Sequence, residues 1–191
     1  DRHGSANDRM LSRYLLGCIY RDMDNGPKAV RCYLEAIEQA DTTGNDCDYR
    51  TLFGIYGQLA GLYKEYSSPR ESLKEFEKYI LYSEKAGDTV SACFGHEAMI
   101  YLHYALGDTV SALSKVEDCR NKYLEHGMHE EAAGVYPVLI YVCIERGQFS
   151  KARYYMDIYE RESGLFDSSN NILAGREHYY KIRGMYSLGV G

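Results

Sequence analysis

The strongest constraint on this chain is a recurrence along it. One frame runs Leu16-Gly17, Tyr20, Ala29, Tyr33 and Ala36. It returns as Leu59-Ala60, Tyr63, Ser72, Phe76 and Tyr79, then as Met99-Ile100, His103, Ala112, Val116 and Cys119. A last copy reads Leu139-Ile140, Cys143, Ala152, Met156 and Tyr159. The small residues Ala29, Ser72, Ala112 and Ala152 stand 43, 40 and 40 residues apart. Self-similarity at such a period marks a repeat architecture, in which each unit buries its apolar face against its neighbours. Inside a frame the spacing is helical: Leu16, Ile19, Tyr20 and Met23 follow i, i+3, i+4, i+7. Only 3 prolines interrupt 191 residues, which suits stacked helices.

The frame resembles the tetratricopeptide repeat, a helix–turn–helix unit, over essentially the whole chain. The resemblance implies that these residues are the contacts between helix A and helix B of each unit. Arg13 stands where that family has a Trp near the start of helix A. The period exceeds the family's usual ~34 residues, so longer helices or linkers are expected. Comparable long repeats occur in bacterial regulators of the maltose-activator and peptide-pheromone-receptor kinds. The expected fold is an all-α, right-handed superhelical solenoid of four and a half units, at 6–41, 48–86, 89–126, 129–163 and 170–191. Helices are expected at 6–22, 27–41, 48–66, 69–86, 89–106, 109–126, 129–146, 149–163 and 170–187. The last of these carries Tyr179, Ile182 and Tyr186 and leaves an uncapped end, the expectation being a segment of a longer protein.

Boundary signals fall where the frame needs them. Ser68-Pro69-Arg70-Glu71 reads as a capping box opening a helix B, and Gly26-Pro27 opens the same helix one unit earlier. Gly107 and Gly147 occupy positions where a helix end requires positive φ. The hexapeptide Gly-Asp-Thr-Val-Ser-Ala, at 87–92 and 107–112, reads as a glycine stop followed by the cap of the next helix, not as a phosphate loop. Pro137 is the one proline that falls inside a helix A. It predicts a kink near Gly134–Pro137 or a true helix start there, with 129–134 as a separate turn. A bend there would tilt Tyr136 and Tyr141 and widen the groove beside them.

Charge and chemistry narrow the function. With 22 Lys+Arg against 28 Asp+Glu the net charge is −6, and no basic run offers phosphates a partner, so direct nucleic-acid binding is not expected. No apolar stretch reaches the ~18 residues of a membrane span, so no membrane insertion is expected. The 6 cysteines form no C-x-x-C pair and read as free thiols, which favours a reducing, cytoplasmic setting. His96 and His103 are seven apart, too far for an H-E-x-x-H site, and His126 and His129 sit in a linker. No metal and no cofactor are expected. No G-x-S-x-G elbow occurs, and Cys119 and Cys143 fall on core positions. Carboxylates lie beside cations, as in Glu75/Lys78 and Glu117/Arg120, the pattern of solvated helix faces. No enzyme activity is expected.

What remains is surface. In the family that this chain resembles, A helices line a concave groove. Carried over position by position, the groove residues are Tyr14, Cys18 and Arg21, then Gln58, Gly61 and Lys64, then Glu97, Tyr101 and Tyr104, then Tyr141 and Glu145, and last Tyr179, Arg183 and Tyr186. Tyrosine offers a large contact area and a polar tip, which suits a protein or peptide ligand. The competing reading is that these rings fill space between A helices. Tyr14 and Cys18 stand where chaperone-tail-binding members carry a Lys/Asn carboxylate clamp, so a C-terminal carboxylate ligand is not implied. Gly54, Gly57 and Gly61 mark either close helix approach or a shallow spot in the groove wall. The expected role is a noncatalytic sensor or scaffold segment of a larger bacterial regulatory protein, with a DNA-binding output domain elsewhere in the parent. The alternative is an assembly adaptor that self-associates as a homo-oligomer, or serves an extracytoplasmic, membrane-anchored complex.

Overall fold

The computed structural model describes residues 5–43 and 46–191. Among them lie ten helices: α1 (Ala6–Asp22), α2 (Gly26–Gln39), α3 (Tyr49–Glu65), α4 (Pro69–Lys85), α5 (Thr89–Ala105), α6 (Thr109–Glu125), α7 (His129–Gly134), α8 (Tyr136–Glu145), α9 (Phe149–Glu162) and α10 (His178–Val190). The chain is all-α, and consecutive helices pair: α1 packs on α2, α3 on α4, α8 on α9. It divides into two compact units, Asp1–Leu102 and His103–Gly191, with the boundary inside α5. Among the described residues no helix is long and apolar enough to cross a membrane.

One backbone device makes the short connections. Asp24, Ser67, Gly87, Gly107, Gly127 and Gly147 all take positive φ, between 55° and 77°. The next residue then donates its N–H to the carbonyl five back: Asn25 to Tyr20, Ser68 to Tyr63, Asp88 to Ser83, Asp108 to His103, Met128 to Tyr123 and Gln148 to Cys143, at 2.8–3.0 Å. That is the Schellman closure, which satisfies an orphan carbonyl and stops the helix. Three of these donors also cap the following helix through their side chains, which accept from the N–H groups of Lys28, Ser91 and Ser111. Helix end and helix start therefore share a residue, and the pattern recurs every 20 residues from Ser67 to Gly147. Both copies of the repeated hexapeptide serve as such a stop and cap. The first frame interval is longer because the α2–α3 link occupies 40–48. Asn7 anchors that link, donating to the Asp46 carbonyl (2.6 Å) and accepting from the Asp48 N–H (3.0 Å).

Three expectations are corrected here. Ser68 opens α4 without any side-chain cap bond, and its N–H, which a capping box would give to Glu71, is committed to the Tyr63 carbonyl. The capping box lies instead at the start of α1, between Ser5 and Asp8. The last helix begins at His178, not at 170. The Asp167 carboxylate accepts from the N–H groups of Ser169 and Asn171, Asn170 sits at φ 62°, and Phe166 bridges Ile172. Side chain-to-backbone bonds of this kind compete with helix formation. Among the described residues Glu117 and Arg120 form no ion pair, and Arg120 instead lines a pocket together with Tyr136. Glu75 and Lys78 do pair, at 3.4 Å. The expected interruption at Pro137 is present: α7 ends at Gly134 and α8 starts at Tyr136.

The frame residues are core. Ala29, Ser72, Ala112 and Ala152 are each fully buried. Ser72 satisfies its hydroxyl by donating to the Ala60 carbonyl at 2.8 Å. In the first unit Met10, Tyr33, Leu52, Ile55 and Leu59 form one cluster, and Ile80, Ala92 and Met99 a smaller one. In the second, Ala133, Ile140, Met156, Leu165, Tyr179 and Ile182 cluster together. All 6 cysteines are free thiols, as the spacing predicts.

Gly17 shows how tightly α1 meets α2. A Cβ there would overlap the ring of Tyr33, which is fully buried with its phenol on the Cys18 sulfur. Gly17→Ala should gain about 1 kcal/mol of helix propensity and lose about 1–3 kcal/mol to overpacking, a net destabilisation. Gly61 has nothing within 4 Å of such a Cβ, so Gly61→Ala should stabilise by up to about 1 kcal/mol. Urea unfolding should therefore move the two midpoints in opposite directions. Shifts of one sign would contradict the packing described.

Candidate functional site

In the first unit, α1 and α3 each present an i, i+4, i+7 row: Tyr14, Cys18 and Arg21 on one, Gly54, Gln58 and Gly61 on the other. The rows meet. Arg21 donates to the Gln58 side chain at 2.5 Å and pairs with Asp22 at 2.7 Å. A Cβ at Gly54 would lie 3.4 Å from the Tyr14 hydroxyl, an ordinary contact. Gly57 faces the other way, toward Tyr79 of α4, where a Cβ would sit at 3.0 Å. Both readings of the glycines thus apply, to different residues: Gly57 marks close helix approach and Gly61 an open spot. Burial pushes the Tyr14 and Tyr33 phenols up, and the Cys18 sulfur adds to it. Lys64 is exposed at the end of this wall, and Glu97 and Tyr101 are half-buried on α5.

In the second unit the elements converge on two rings. Tyr104 and Tyr141 stack with centroids 5.9 Å apart and planes 13° from parallel. The Tyr104 hydroxyl donates to the Glu145 carboxylate at 2.5 Å, one helical turn beyond Tyr141. Burial and that acceptor together hold the Tyr104 phenol well above its ordinary value, so the proton stays in the bond. The Lys181 ammonium lies 5.8 Å from the Tyr141 centroid, a cation–π contact from α10. Both rings are half-buried and Glu145 is exposed, leaving polar tips and ring surface open to solvent.

Not every groove assignment holds. Tyr179 is fully buried between Tyr159 and Phe166, with its hydroxyl on Glu160, and lines no surface. Tyr186 is half-buried edge-on to Phe149 of α9, whereas Arg183 is exposed. Tyr136, expected beside the groove, is buried against Tyr155 of α9, 5.7 Å between centroids. Lys181 escaped the sequence reading, although counting one period of 40 from Tyr141 lands on it. Also missed was a cavity of about 450 Å³ on another face of this unit, lined among others by Arg120, Tyr136, Tyr154 and Ile158. Cys119 and Cys143 are buried, and burial pushes the Cys143 thiol up, away from nucleophilic character.

No family model matches the sequence, and no curated protein matches it. Among solved structures the fold is similar to the crystal structure of BtubC (BKLC) from P. vanneervenii, at a TM-score of 0.74 and 15% identity, over 97% of this chain and 74% of that one. At that identity the likeness concerns the fold alone.

Proposed function

We propose that this chain is a noncatalytic protein- or peptide-recognition module, a superhelical array of tetratricopeptide-like units whose A helices form the binding wall. The observation that carries the reading is the stacked Tyr104–Tyr141 pair, half-exposed and locked by the Tyr104–Glu145 bond. Rings held in place lose little entropy on binding, and their edges and hydroxyls serve apolar and polar ligand groups alike. In the first unit the Arg21–Gln58 bridge beside Gly61 gives polar handles next to a bare stretch of helix, where a ligand backbone can approach closely. The likeness of the 40-residue frame to long-repeat regulators supports a place as the sensing or scaffolding segment of a larger bacterial regulatory protein.

The test uses peptides selected from a random display library on the immobilised wild-type chain. Tyr104→Ala with Tyr141→Ala should weaken the selected peptides by about 1–3 kcal/mol, roughly 5- to 150-fold, and leave the helical circular dichroism intact. Unchanged affinity would remove the rings from the site. Unfolding of the double variant would mean that they fill space between helices.

A further inference from the structure

The cavity of about 450 Å³ in the second unit is lined from α6, α8 and α9, and its charges do not balance. Asp157 and Glu162, both exposed, are each held by an arginine of their own helix: Asp157 by Arg153, and Glu162 by Arg161 at 2.8 Å. Arg120 of α6 is different. It is half-buried, lines the same cavity, and among the described residues pairs with no carboxylate. Beside its guanidinium stands the Tyr136 phenol, whose residue is 8% exposed. Burial raises that phenol and the arginine works against it, so the hydroxyl keeps its proton at neutral pH. A guanidinium carries five N–H donors in a planar fork, and a phenol can accept one bond while donating another. Two such groups side by side suit a carboxylate.

The rest of the lining is flat and apolar. Tyr154 is 61% exposed yet packed against Tyr155, 5.5 Å between centroids, and Tyr155 in turn stacks on Tyr136 at 5.7 Å. Ile158, one helical turn beyond Tyr154, also lines the cavity and is half-buried. A ring held by its neighbour and still open to solvent is a ready surface for another flat group. Nothing in the repeat demands this set of residues. One period of 40 away, Arg120 is matched by Ile80 and Glu160, and Tyr136 by His96 and Arg176.

We propose that this cavity binds a small organic carboxylate with an aromatic body, its carboxylate on Arg120 and the Tyr136 hydroxyl and its ring against Tyr154 and Ile158. One unbalanced cation matches a single negative charge, and the acidic side chains nearby disfavour a doubly charged phosphate. The volume lies within the ~300–1,000 Å³ of small-molecule pockets, which sets the size of the ligand. The site is built without the Tyr104–Tyr141 pair, so it stands or falls independently of peptide recognition by the A helices.

Saturation-transfer NMR on the purified chain tests this, with phenylacetate as the probe and phenylacetamide as its neutral counterpart. Phenylacetate should bind with a dissociation constant of about 1–10 mM, the range for so small a ligand. The amide should bind at least about tenfold more weakly. Arg120→Gln, checked for fold by circular dichroism, should weaken the acid by about tenfold or more and leave the amide unchanged. Arg120→Lys should restore part of the loss, Tyr154→Ala should weaken acid and amide alike, and Tyr104→Ala should affect neither. Equal binding of acid and amide to the wild-type chain would overturn the proposal, as would undiminished acid binding by Arg120→Gln. So would binding of an N-acetylated peptide ending in phenylalanine without binding of the free acid, which would make the cavity a reader of chain ends.

Discussion

Tyr179→Ala should destabilise the second unit by about 3–5 kcal/mol, the range for deleting a buried aromatic ring. The ring is fully buried, 5.6 Å from Tyr159 and 6.3 Å from Phe166 between centroids. Its hydroxyl donates to Glu160, which Arg153 also holds, at 2.9 Å. Tyr179→Phe keeps the packing and loses only the bond, so about 1 kcal/mol is expected from it. α10 has 13 residues, too few to persist in water without its packing, and the alanine variant should therefore also lose helical signal from that segment. Urea denaturation with hydrogen exchange over 178–190 measures both effects. A loss below about 1 kcal/mol for Tyr179→Ala would return the ring to the surface, where the groove assignment places it.

High pH should unfold the protein cooperatively. Burial raises the phenols of Tyr33, Tyr56, Tyr136 and Tyr179 above the ordinary tyrosine value, that of Tyr56 to about 12. The unfolded chain releases these protons near pH ~10 while the folded chain keeps them. The stability they contribute is complete below that pH and is lost as pH rises toward the folded values. Each withheld proton costs about 1.4 kcal/mol per pH unit, so four acting together reach about 5.5 kcal/mol per unit at most. The exposed rings, Tyr66, Tyr154 and Tyr180 among them, should ionise first, near pH ~10, and the remaining tyrosinate absorbance should rise together with the loss of far-ultraviolet circular dichroism as pH climbs toward about 12. Ionisation of all 20 tyrosines near pH ~10 with the helices intact would contradict the burial of these rings.

Helix boundaries could be read in advance because the chain announces them chemically. A residue suited to positive φ, then Asp or Asn, occurs at Gly87-Asp88 and Gly107-Asp108, and each pair ends one helix and caps the next. The same device explains the failure at Ser68. A residue that closes a Schellman turn with its N–H has none left for the reciprocal half of a capping box, whereas Ser5 gives its N–H to Asp8 at 2.8 Å. The C-terminal misplacement has a different origin. Beyond α9 the regular connection gives way to the Asp167 turn, so helix phase could no longer be carried forward by local signals. The period itself still held there. Leu59, Met99, Leu139 and Tyr179 are spaced by 40, which puts Tyr179 on a packing position and Lys181 on the groove position of Tyr141. What no frame could convey is pairing between side chains, such as Tyr104 with Glu145 or Arg21 with Gln58. Those depend on helix separation and on rotamers chosen in the packed state.

The central claim is that ligands are read by the A-helix faces. Its most direct test is the hydrogen-exchange and hydroxyl-radical footprint of a library-selected peptide on the wild-type chain. Protection should appear at Tyr14, Arg21 and Gln58, or at Tyr104, Tyr141 and Glu145, and should be absent from the exposed ring of Tyr154 on α9. Protection confined to Tyr154 and the cavity beside it, with the Tyr104–Tyr141 pair unchanged, would contradict the account.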